Sequence, residues 1–331
     1  MIKITKNEPL SNHTSIRIGG MADFFVTAET GNELKEAVIW ARDNKVPYYI
    51  LGGGSNTIFA DEGYRGLIIN QRSRNISFNQ SKDILPLHQI KARYNAAKLK
   101  FELGYDDWHA NRLVTVDAGY PLPALIKDTL TRGLVGLEWF AGIPGNIGGA
   151  IVGNIHGGPR FFGNRVQSVN VLDEELEEVK LDWSELEFDY DWSLFKKKKM
   201  PILSVDMGLY SANHDIINKA KSFARTWVIY KSSKWPKDPN CGSIFQNISS
   251  QDAETIGLPT SSAGWLIDSV GLKGHRIGNV SFSPDHANYI INLGNGKSSD
   301  FLSLIKLARE KVKQKFGINL LLEITLVETD E

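Results

Sequence analysis

The sequence predicts an α+β fold, because strand-like and helix-like patterns alternate along the chain with glycine-rich turns between them. Residues 22–28 and 47–51 are short apolar runs typical of strands. Residues 34–41, between these two runs, repeat apolar side chains at helical spacing. The second run leads directly into three consecutive glycines at 52–54, and the rest of the chain is organised around this glycine loop.

The glycine loop has the composition of an anion-binding turn. Glycine adopts positive φ without a steric penalty and lets the backbone approach a ligand closely, so successive N–H groups can bind a phosphate. Ser55 and Asn56 add a hydroxyl and an amide. No Gly-Lys-Ser/Thr follows, and Thr57 occupies the place of the third glycine in the dinucleotide fingerprint, which excludes both common phosphate motifs. A tight turn between strands is the structural alternative; as a ligand site, the loop predicts a phosphate-bearing cofactor in another fold.

Composition limits the classes of function. The chain has 331 residues, 42% hydrophobic and 23% charged, which allows two or three globular domains. Its formal net charge is zero, so we expect neither nucleic acid nor a membrane as a partner. A single cysteine, Cys241, excludes an internal disulfide framework and fits the cytoplasm. We find no signal peptide in residues 1–6, no 18-residue apolar run and no metal spacing among the histidines, so no metal site is predicted.

The first third of the chain contains one clear helix and one irregular region. Thr30 and Glu33 have the spacing of a capping box, and the apolar positions that follow form one helical face. Residues 67–70 predict a short strand. Residues 79–112 mix basic and aromatic side chains without periodicity, which predicts a partly helical surface insertion. A nucleic-acid-binding segment is the alternative, and the neutral charge of the chain argues against it.

A second glycine-rich segment lies in the middle of the chain. Residues 114–119 predict a strand and residues 122–131 a helix. The following segment, 133–150, is rich in glycine and contains Pro144, so we expect it not to be a packed helix. It predicts a second backbone surface shaped to a flat or extended ligand, with an irregular loop as the alternative.

The remaining elements predict a boundary near residues 211–213. Before it, residues 166–172 and 176–181 form a hairpin pattern, the lysines at 196–199 are typical of a solvated surface, and residues 201–209 form a strand. After it, the sequence predicts helices at 216–227, 262–270 and 301–316 and a last strand at 318–326, in which Glu323 faces away from the apolar side chains.

Taken together, these motifs resemble the UDP-N-acetylenolpyruvoylglucosamine reductases, the MurB family. The matching stretches run through the chain in the family's order: 12–20, 51–56, 136–150, 241–247, 263–278, 286–292 and 316–324. Only the region 79–112 has no counterpart. The resemblance implies a two-lobed FAD-binding domain of the vanillyl-alcohol-oxidase (PCMH) type at 1–210. It also implies a smaller C-terminal α/β substrate domain at 211–331.

The resemblance also implies chemistry. NADPH reduces FAD, and the flavin passes hydride to the enolpyruvyl double bond of UDP-N-acetylglucosamine enolpyruvate. The product is UDP-N-acetylmuramate, a peptidoglycan precursor made in the cytoplasm and needed for cell shape and division. The partner is therefore a small UDP-sugar, and a monomer is favoured.

The resemblance implies cofactor, substrate and catalytic sites at specific residues of this chain. The resemblance assigns the FAD pyrophosphate to Gly52, Gly53, Gly54, Ser55 and Asn56, and the flavin to Gly142, Ile143, Pro144, Gly145 and Gly148. It assigns the UDP-sugar to Lys234, Asn247, Arg276 and His286. It makes Ser243 the proton donor, Glu323 the group that polarises the substrate carboxylate, and Tyr190 a further catalytic residue. Structural roles remain the alternative: a turn serine, a solvated glutamate, a surface arginine and a core histidine.

The chain departs from the family's pattern in four places, two of which carry an arginine in the family. Asp191 stands where the family has a catalytic arginine, Thr325 replaces another arginine, and residues 154–158 belong to an altered loop. The span 195–234 is short, which is typical of the family's subclass without an extra tyrosine-bearing loop. Our hypothesis is that another cation replaces the missing charge; the candidates are Lys196, Lys197, Arg160 and Arg165. Alternatively, Asp191 points away from the site. Other open functions are a vanillyl-alcohol-oxidase-type flavoprotein with a different substrate and a binding relative that has lost turnover.

Overall fold

The computed structural model describes residues 2–90 and 109–327, in which short strands and helices alternate. The helices are α1 (Gly31–Asp43), α2 (Leu122–Thr131), α3 (Ile147–Gly153), α4 (His214–Ser232), α5 (Ser250–Thr255), α6 (Ala263–Ser269) and α7 (Ser298–Phe316). The strands are β1 (Thr5–Pro9), β2 (Met21–Ala28), β3 (Tyr48–Leu51), β4 (Thr57–Phe59), β5 (Tyr64–Gln71), β6 (Ile76–Pro86), β7 (His109–Asp117), β8 (Leu134–Val135), β9 (His156–Gly157), β10 (Arg160–Phe161), β11 (Val166–Leu172), β12 (Glu178–Asp182), β13 (Ile202–Ser211), β14 (Asn240–Ser243), β15 (Arg276–Ile277), β16 (Val280–Phe282), β17 (Tyr289–Asn292) and β18 (Thr325–Val327).

The first sheet has the strand order β1-β2-β5-β3 and carries the glycine loop at the end of β3. The strands β2, β5 and β3 are parallel, and β1 is antiparallel to β2. Helix α1 packs on this sheet through Leu34, Ala37, Val38 and Ala41, as its spacing predicts. The hydroxyl of Thr30 accepts a hydrogen bond from the backbone N–H at position 33, which confirms the predicted N-cap.

The second sheet is antiparallel, with the order β12-β11-β13-β7-β6 and the short β8 beside β13. The hairpin of β11 and β12 confirms the prediction for 166–181. Helix α2 begins and ends at the predicted residues, and it shares one apolar core with this sheet and with α4. In that core, the indole N–H of Trp227 on α4 donates to the carbonyl of Trp139 at 2.8 Å. Helix α4 therefore packs on the second sheet, while the predicted division at residue 210 stays a prediction.

The third sheet, β14-β17-β16-β15, is antiparallel and packs on α6 and α7. Both helices are followed by a glycine at positive φ, Gly271 and Gly317, each at +73°. A left-handed glycine satisfies the terminal carbonyls of a helix, so these two ends follow from the sequence. The core of this unit also includes Ile16 and Ile18 from the beginning of the chain.

The last strand lies beside the strand that follows the glycine loop. Strand β18 pairs in parallel with β4, placing Thr325 opposite Thr57. The predicted single strand at 318–326 is therefore wrong in extent. Residues before Ile324 bond instead to the segment after β14: the N–H of Glu323 donates to the carbonyl of Ile244 at 2.9 Å. The apolar alternation arises because Leu320 and Ile324 are buried in the core of the third sheet, against which Ile318, Leu322 and Leu326 also pack.

Two other predictions need correction. The irregular region 79–112 is smaller than predicted, because β6 and β7 pair antiparallel through Pro86 and His109. Whether the remainder is partly helical lies outside the described residues. The glycine-rich segment is not wholly irregular, because α3 begins at Ile147. The side chain of Asn146 accepts the N–H of Gly149 at 3.0 Å, which compensates for the low helix propensity of glycine.

Candidate active site

A cavity of about 1840 Å³ lies where the three sheets meet. Most of the residues predicted for the cofactor and for catalysis line it: Gly52, Gly53, Gly54, Ser55, Asn56, Ile143, Pro144, Gly145, Gly148, Asp191, Ser243 and Glu323. These positions are scattered over the chain, and the fold brings them to one place. A cavity of this size and shape accommodates a ligand as large as a dinucleotide together with a second small molecule.

The two glycine-rich segments contact each other on one wall of this cavity. A Cβ atom at Gly53 would lie 2.6 Å from the Cα of Gly145. One at Gly54, where φ is +64°, would lie 2.0 Å from the carbonyl oxygen of His13. Side chains are therefore excluded here, and the wall consists of bare backbone that a phosphate or a flat ring can approach closely. Asn146, at the same wall, has a buried Nδ2 without a partner among the described residues, a donor suited to an anionic cofactor.

Gly53→Ala should destabilise the fold by about 1–3 kcal/mol and weaken cofactor binding, because the added methyl group forces the two glycine segments apart. The unfolding midpoint and the cofactor content of the purified variant measure both effects. Gly31→Ala is a matched control: its Cβ would lie 3.4 Å from the nearest atom, in ordinary van der Waals contact. Equal behaviour of the two variants would contradict the close packing at Gly53.

Asn56 connects the glycine loop to Glu323. Its side-chain amide donates to the carbonyl of Glu323 at 3.1 Å, and its own carbonyl accepts the N–H of Thr325 at 2.9 Å. Both bonds belong to the junction of β4 and β18. Asn56 thus has a structural role that the sequence did not suggest, since it fixes the backbone that carries Glu323 beside the cofactor wall.

Ser243 ends β14 directly opposite Tyr289 of β17, so the serine hydroxyl and the phenol lie side by side and influence each other's protonation. Burial raises the pKa of Tyr289 to about 12, and the nearby Glu323 contributes to the increase. Tyr289 therefore stays protonated at neutral pH and can donate to the serine. The site thus holds a serine hydroxyl whose proton can be replaced through a neighbouring phenol.

Asp191 faces the cavity, so the alternative that it points away is wrong. The residue is only 5% exposed and sits in a tight turn at a φ of 47°. Its Oδ1 lies 3.2 Å from Nδ1 of His156, and its carbonyl accepts a hydrogen bond from Nζ of Lys196 at 2.6 Å. Tyr190 does not line the cavity; its ring stacks on His156 at a centroid distance of 5.3 Å. The turn therefore presents a carboxylate, not the preceding phenol.

The charges of Glu323, Asp191 and Lys196 influence one another. Desolvation raises the pKa of the Glu323 carboxyl well above its usual value, the charge of Asp191 raises it further, and Lys196 opposes both. Although Lys196 is exposed to the cavity, the protein around its ammonium group lowers its pKa, and the two carboxyl groups counteract this. Burial and the charge of Asp191 thus favour the protonated form of Glu323, and the ammonium group of Lys196 opposes them.

Of the four candidate replacement cations, all in the described part of the chain, Lys196 is the one that lines the cavity. Lys197 instead pairs with Glu187 at 2.9 Å on the surface. Arg165 is buried beside Gly136, and Arg160 lies on β10 away from the cavity wall. The geometry therefore selects Lys196 from the candidates.

The residues implied for the UDP-sugar lie outside this cavity. Lys234 packs over the ring of Tyr230, and the side chain of Asn247 accepts the N–H of Ala263. Arg276 donates to its own turn, and His286 accepts the N–H of Asn288. Gly142 also lies off the cavity wall, with Lys231 against it. Each of these side chains has a structural contact within the fold.

Lys231 also lines the cavity, although no sequence pattern predicted it as a site residue. Its ammonium group lies over the rings of Trp227 and Trp235, 5.1 and 5.8 Å from their centroids, and donates to the carbonyl of Ala141. Burial lowers the pKa of Lys231 to about 8. No local signal distinguishes it, because a lysine in an amphipathic helix is typical of a solvated face.

Within residues 2–90 and 109–327, no group of three His, Cys, Asp or Glu side chains could hold a metal ion. In the same part of the chain, no helix combines the length and apolarity needed to cross a membrane.

Comparison with known proteins decides the family. The chain is 32% identical over 338 aligned positions to the UDP-N-acetylenolpyruvoylglucosamine reductase of Chloroflexus aggregans, with 98% of both chains covered. It belongs to the UDP-N-acetylenolpyruvoylglucosamine reductase family. The reductase of Synechococcus sp. (strain RCC307) is 31% identical, over 96% of this chain and 92% of the relative. The solved structure of the family member MurB from Thermus caldophilus matches with a TM-score of 0.69 and 26% identity, covering 98% of each chain.

Two family models match separate parts of the chain. The model for the C-terminal domain of UDP-N-acetylenolpyruvoylglucosamine reductases matches residues 234–327, which include Ser243 and Glu323. An FAD-binding domain model matches residues 98–181, which include Gly145. These matches confirm the predicted family, the α+β fold class and FAD as the cofactor. The chain is therefore a flavin-dependent oxidoreductase of the reductase family, and the bare-backbone wall fits that cofactor.

Proposed function

We propose that the protein reduces the enolpyruvyl group of UDP-N-acetylenolpyruvoylglucosamine, with NADPH as the electron source. The product is UDP-N-acetylmuramate, for peptidoglycan synthesis in the cytoplasm. The observation that carries this proposal is the meeting of Ser243, Glu323 and the glycine-rich wall in one cavity. A proton donor, a carboxyl group and a cofactor surface are the parts that reduction of a carboxyl-activated double bond requires.

FAD supplies the hydride when it is bound. The protein must then deliver a proton to the neighbouring carbon, where negative charge develops as an enolate. Ser243 suits this step, because its cross-strand neighbour is Tyr289, whose phenol remains protonated well above neutral pH. The proton that leaves the serine can be replaced along this hydroxyl pair. Ser243 is thus the proposed proton donor.

Glu323 and Lys196 act on the carboxylate of the enolpyruvyl group. A protonated Glu323 donates a hydrogen bond to that carboxylate, which an ionised glutamate cannot do. Lys196 offsets the charge of Asp191 and adds positive potential where the enolate forms. The loss of the family's arginine is therefore compensated by a lysine five positions later in the chain.

The UDP moiety is proposed to lie along the cations at the cavity wall, because ammonium and guanidinium groups suit a diphosphate. Arg17, Lys199, Lys231 and Lys237 line the cavity in addition to Lys196. The substrate roles implied for Lys234, Asn247, Arg276 and His286 remain a prediction. A monomeric state likewise remains a prediction.

An anaerobic two-step experiment tests the proposed function. The purified yellow protein should be bleached by NADPH, and adding UDP-N-acetylenolpyruvoylglucosamine should restore the oxidised flavin spectrum and form UDP-N-acetylmuramate. Reduction without reoxidation would favour the second candidate, an oxidoreductase with a different substrate. The observation in favour of that candidate is the buried carboxylate of Asp191, which repels an anionic substrate unless cations balance it.

A further inference from the structure

Lys231 is a half-buried cation of the cavity that the proposed hydride and proton steps do not use. It lies near the end of α4, and its ammonium group donates to the carbonyl of Ala141 at 3.1 Å. The other lysine and arginine side chains that line the cavity in the described part of the chain are all exposed: Arg17, Lys196, Lys199 and Lys237. Lys231 is therefore the cation of this set that is most shielded from water.

Packing on all sides fixes the position of the Lys231 side chain. A Cβ atom at Gly142 would lie 3.5 Å from Cδ of Lys231, so the lysine stem packs directly on this glycine. Its ammonium group lies over the indole rings of Trp227 and Trp235, 5.1 and 5.8 Å from their centroids. The charge is thus held beside the chain immediately before residues 143–145, which form part of the cavity wall.

The ammonium group of Lys231 has no carboxylate partner among the described residues, because its hydrogen bond is to a neutral carbonyl group. Burial lowers its pKa, and no neighbouring negative charge counteracts this effect. A cation removed from water is unfavourable unless a negative charge compensates it, and the two indole rings offset only part of this cost. A ligand that brings negative charge to this wall would therefore complete the site.

We propose that Lys231 stabilises the negative charge of the reduced flavin and thereby raises the reduction potential of bound FAD. A flavin that takes up two electrons and one proton carries a negative charge on its ring, whereas the oxidised ring is neutral. A fixed ammonium group beside the ring therefore favours the reduced form. The inference rests on the flavin lying along residues 142–145, as the family resemblance implies, and it does not depend on which substrate the reduced flavin serves.

The diphosphate of a UDP-sugar is the other anion that Lys231 could meet. A diphosphate is strongly hydrated, and the exposed cations Arg17, Lys199 and Lys237 can bind it while they keep much of their own water. Lys231 instead lies over two indole rings and beside a glycine-rich segment. These surroundings suit a flat ring whose charge is spread over several atoms, so the flavin is the ligand that they favour.

The test is an anaerobic redox titration of the FAD-loaded protein against a reference dye, followed by flavin absorbance, without NADPH or a nucleotide sugar. Lys231→Met should lower the potential and change the equilibrium between oxidised and reduced flavin at least about tenfold, which is about 30 mV for two electrons. Lys231→Arg keeps the charge and should retain most of the wild-type potential. Lys221→Met, at an exposed position of α4 that does not line the cavity, should have the wild-type potential.

Lys231→Gln separates the charge of the lysine from its hydrogen bond. Its amide retains a donor for the carbonyl of Ala141 but carries no charge, so its potential should be as low as that of Lys231→Met. A wild-type potential in either neutral variant overturns the proposal, and so does a potential in Lys231→Arg as low as that of Lys231→Met. Loss of FAD from both neutral variants, with folding unchanged, would assign Lys231 to cofactor binding and also overturn it.

A titration with UDP distinguishes the two anions. Weaker UDP binding by Lys231→Met, together with an unchanged flavin potential, would assign the lysine to the diphosphate and overturn the proposal. The proposed function is tested separately. A loaded and reduced wild type that UDP-N-acetylenolpyruvoylglucosamine does not reoxidise contradicts that function, whereas the comparison of potentials between the variants still decides the role of Lys231.

Discussion

Ser243→Ala should be reduced by NADPH at the wild-type rate and yet form product about 10²–10⁴-fold more slowly, the usual contribution of general acid catalysis. In the proposed mechanism the serine acts after hydride transfer, on the substrate carbon, so the two half-reactions should separate. Its hydroxyl lies opposite Tyr289, and the substitution removes this hydroxyl without opening the fold, because Ser243 is only partly buried. Stopped-flow absorbance of the flavin measures reduction and reoxidation independently.

The control for this serine is Ser232→Ala on α4, whose hydroxyl is exposed and bonds only to the carbonyl of Ile229 in its own helix. That variant should match the wild type in both half-reactions. The assigned role is wrong if Ser243→Ala slows flavin reduction as much as it slows turnover. If Ser243→Ala is reoxidised near the wild-type rate, the phenol of Tyr289 is instead the proton donor.

Lys196→Met should slow substrate-dependent reoxidation by about 10²–10³-fold and leave reduction by NADPH intact. Methionine preserves much of the length of the side chain but leaves the charge of Asp191 unbalanced where the enolate forms. Since burial lowers the pKa of Lys196, the wild-type reoxidation rate should also fall with rising pH, once the pH passes that lowered value. The variant should lack this decrease. Rapid-mixing kinetics over a pH series measures both effects.

Lys197→Met is the matched control, one residue further along. Its ammonium group pairs with Glu187 on the surface, and both side chains are about half exposed, so its removal should change neither half-reaction. Wild-type reoxidation in Lys196→Met would show that the family's arginine is not replaced by this lysine. Substitution of Arg160 and Arg165 would then test the remaining candidates.

Capping and periodicity patterns in the sequence correctly predicted those helices whose ends depend on residues nearby in the chain. The Thr30 cap, the limits of α2 and the glycines after α6 and α7 all follow from contacts within a few positions of the chain. The same rules failed for α3, where an asparagine cap and packing on the second sheet outweigh the glycine content. They also failed for the last strand, because its partner, β4, is more than two hundred residues away.

The candidate site could be predicted only in part from the sequence. Ser243 and Glu323 were proposed by family resemblance, whereas their meeting with Gly53 and Asp191 depends on long-range packing that no local pattern encodes. His156 was part of an altered loop without an assigned role. Its contact with Asp191 joins residues 35 positions apart, so only the folded chain shows that the two departures from the family lie side by side.

The pairing of β18 with β4 couples two segments that are far apart in the sequence. The strand that follows Glu323 is bonded to the strand that follows the glycine loop, and Asn56 connects the two. Binding free energy gained at the glycine loop therefore also stabilises the last strand, since a ligand stabilises every segment that must be folded for it to bind. If the glycine loop holds the cofactor as proposed, the segment that carries Glu323 thus derives part of its order from that binding.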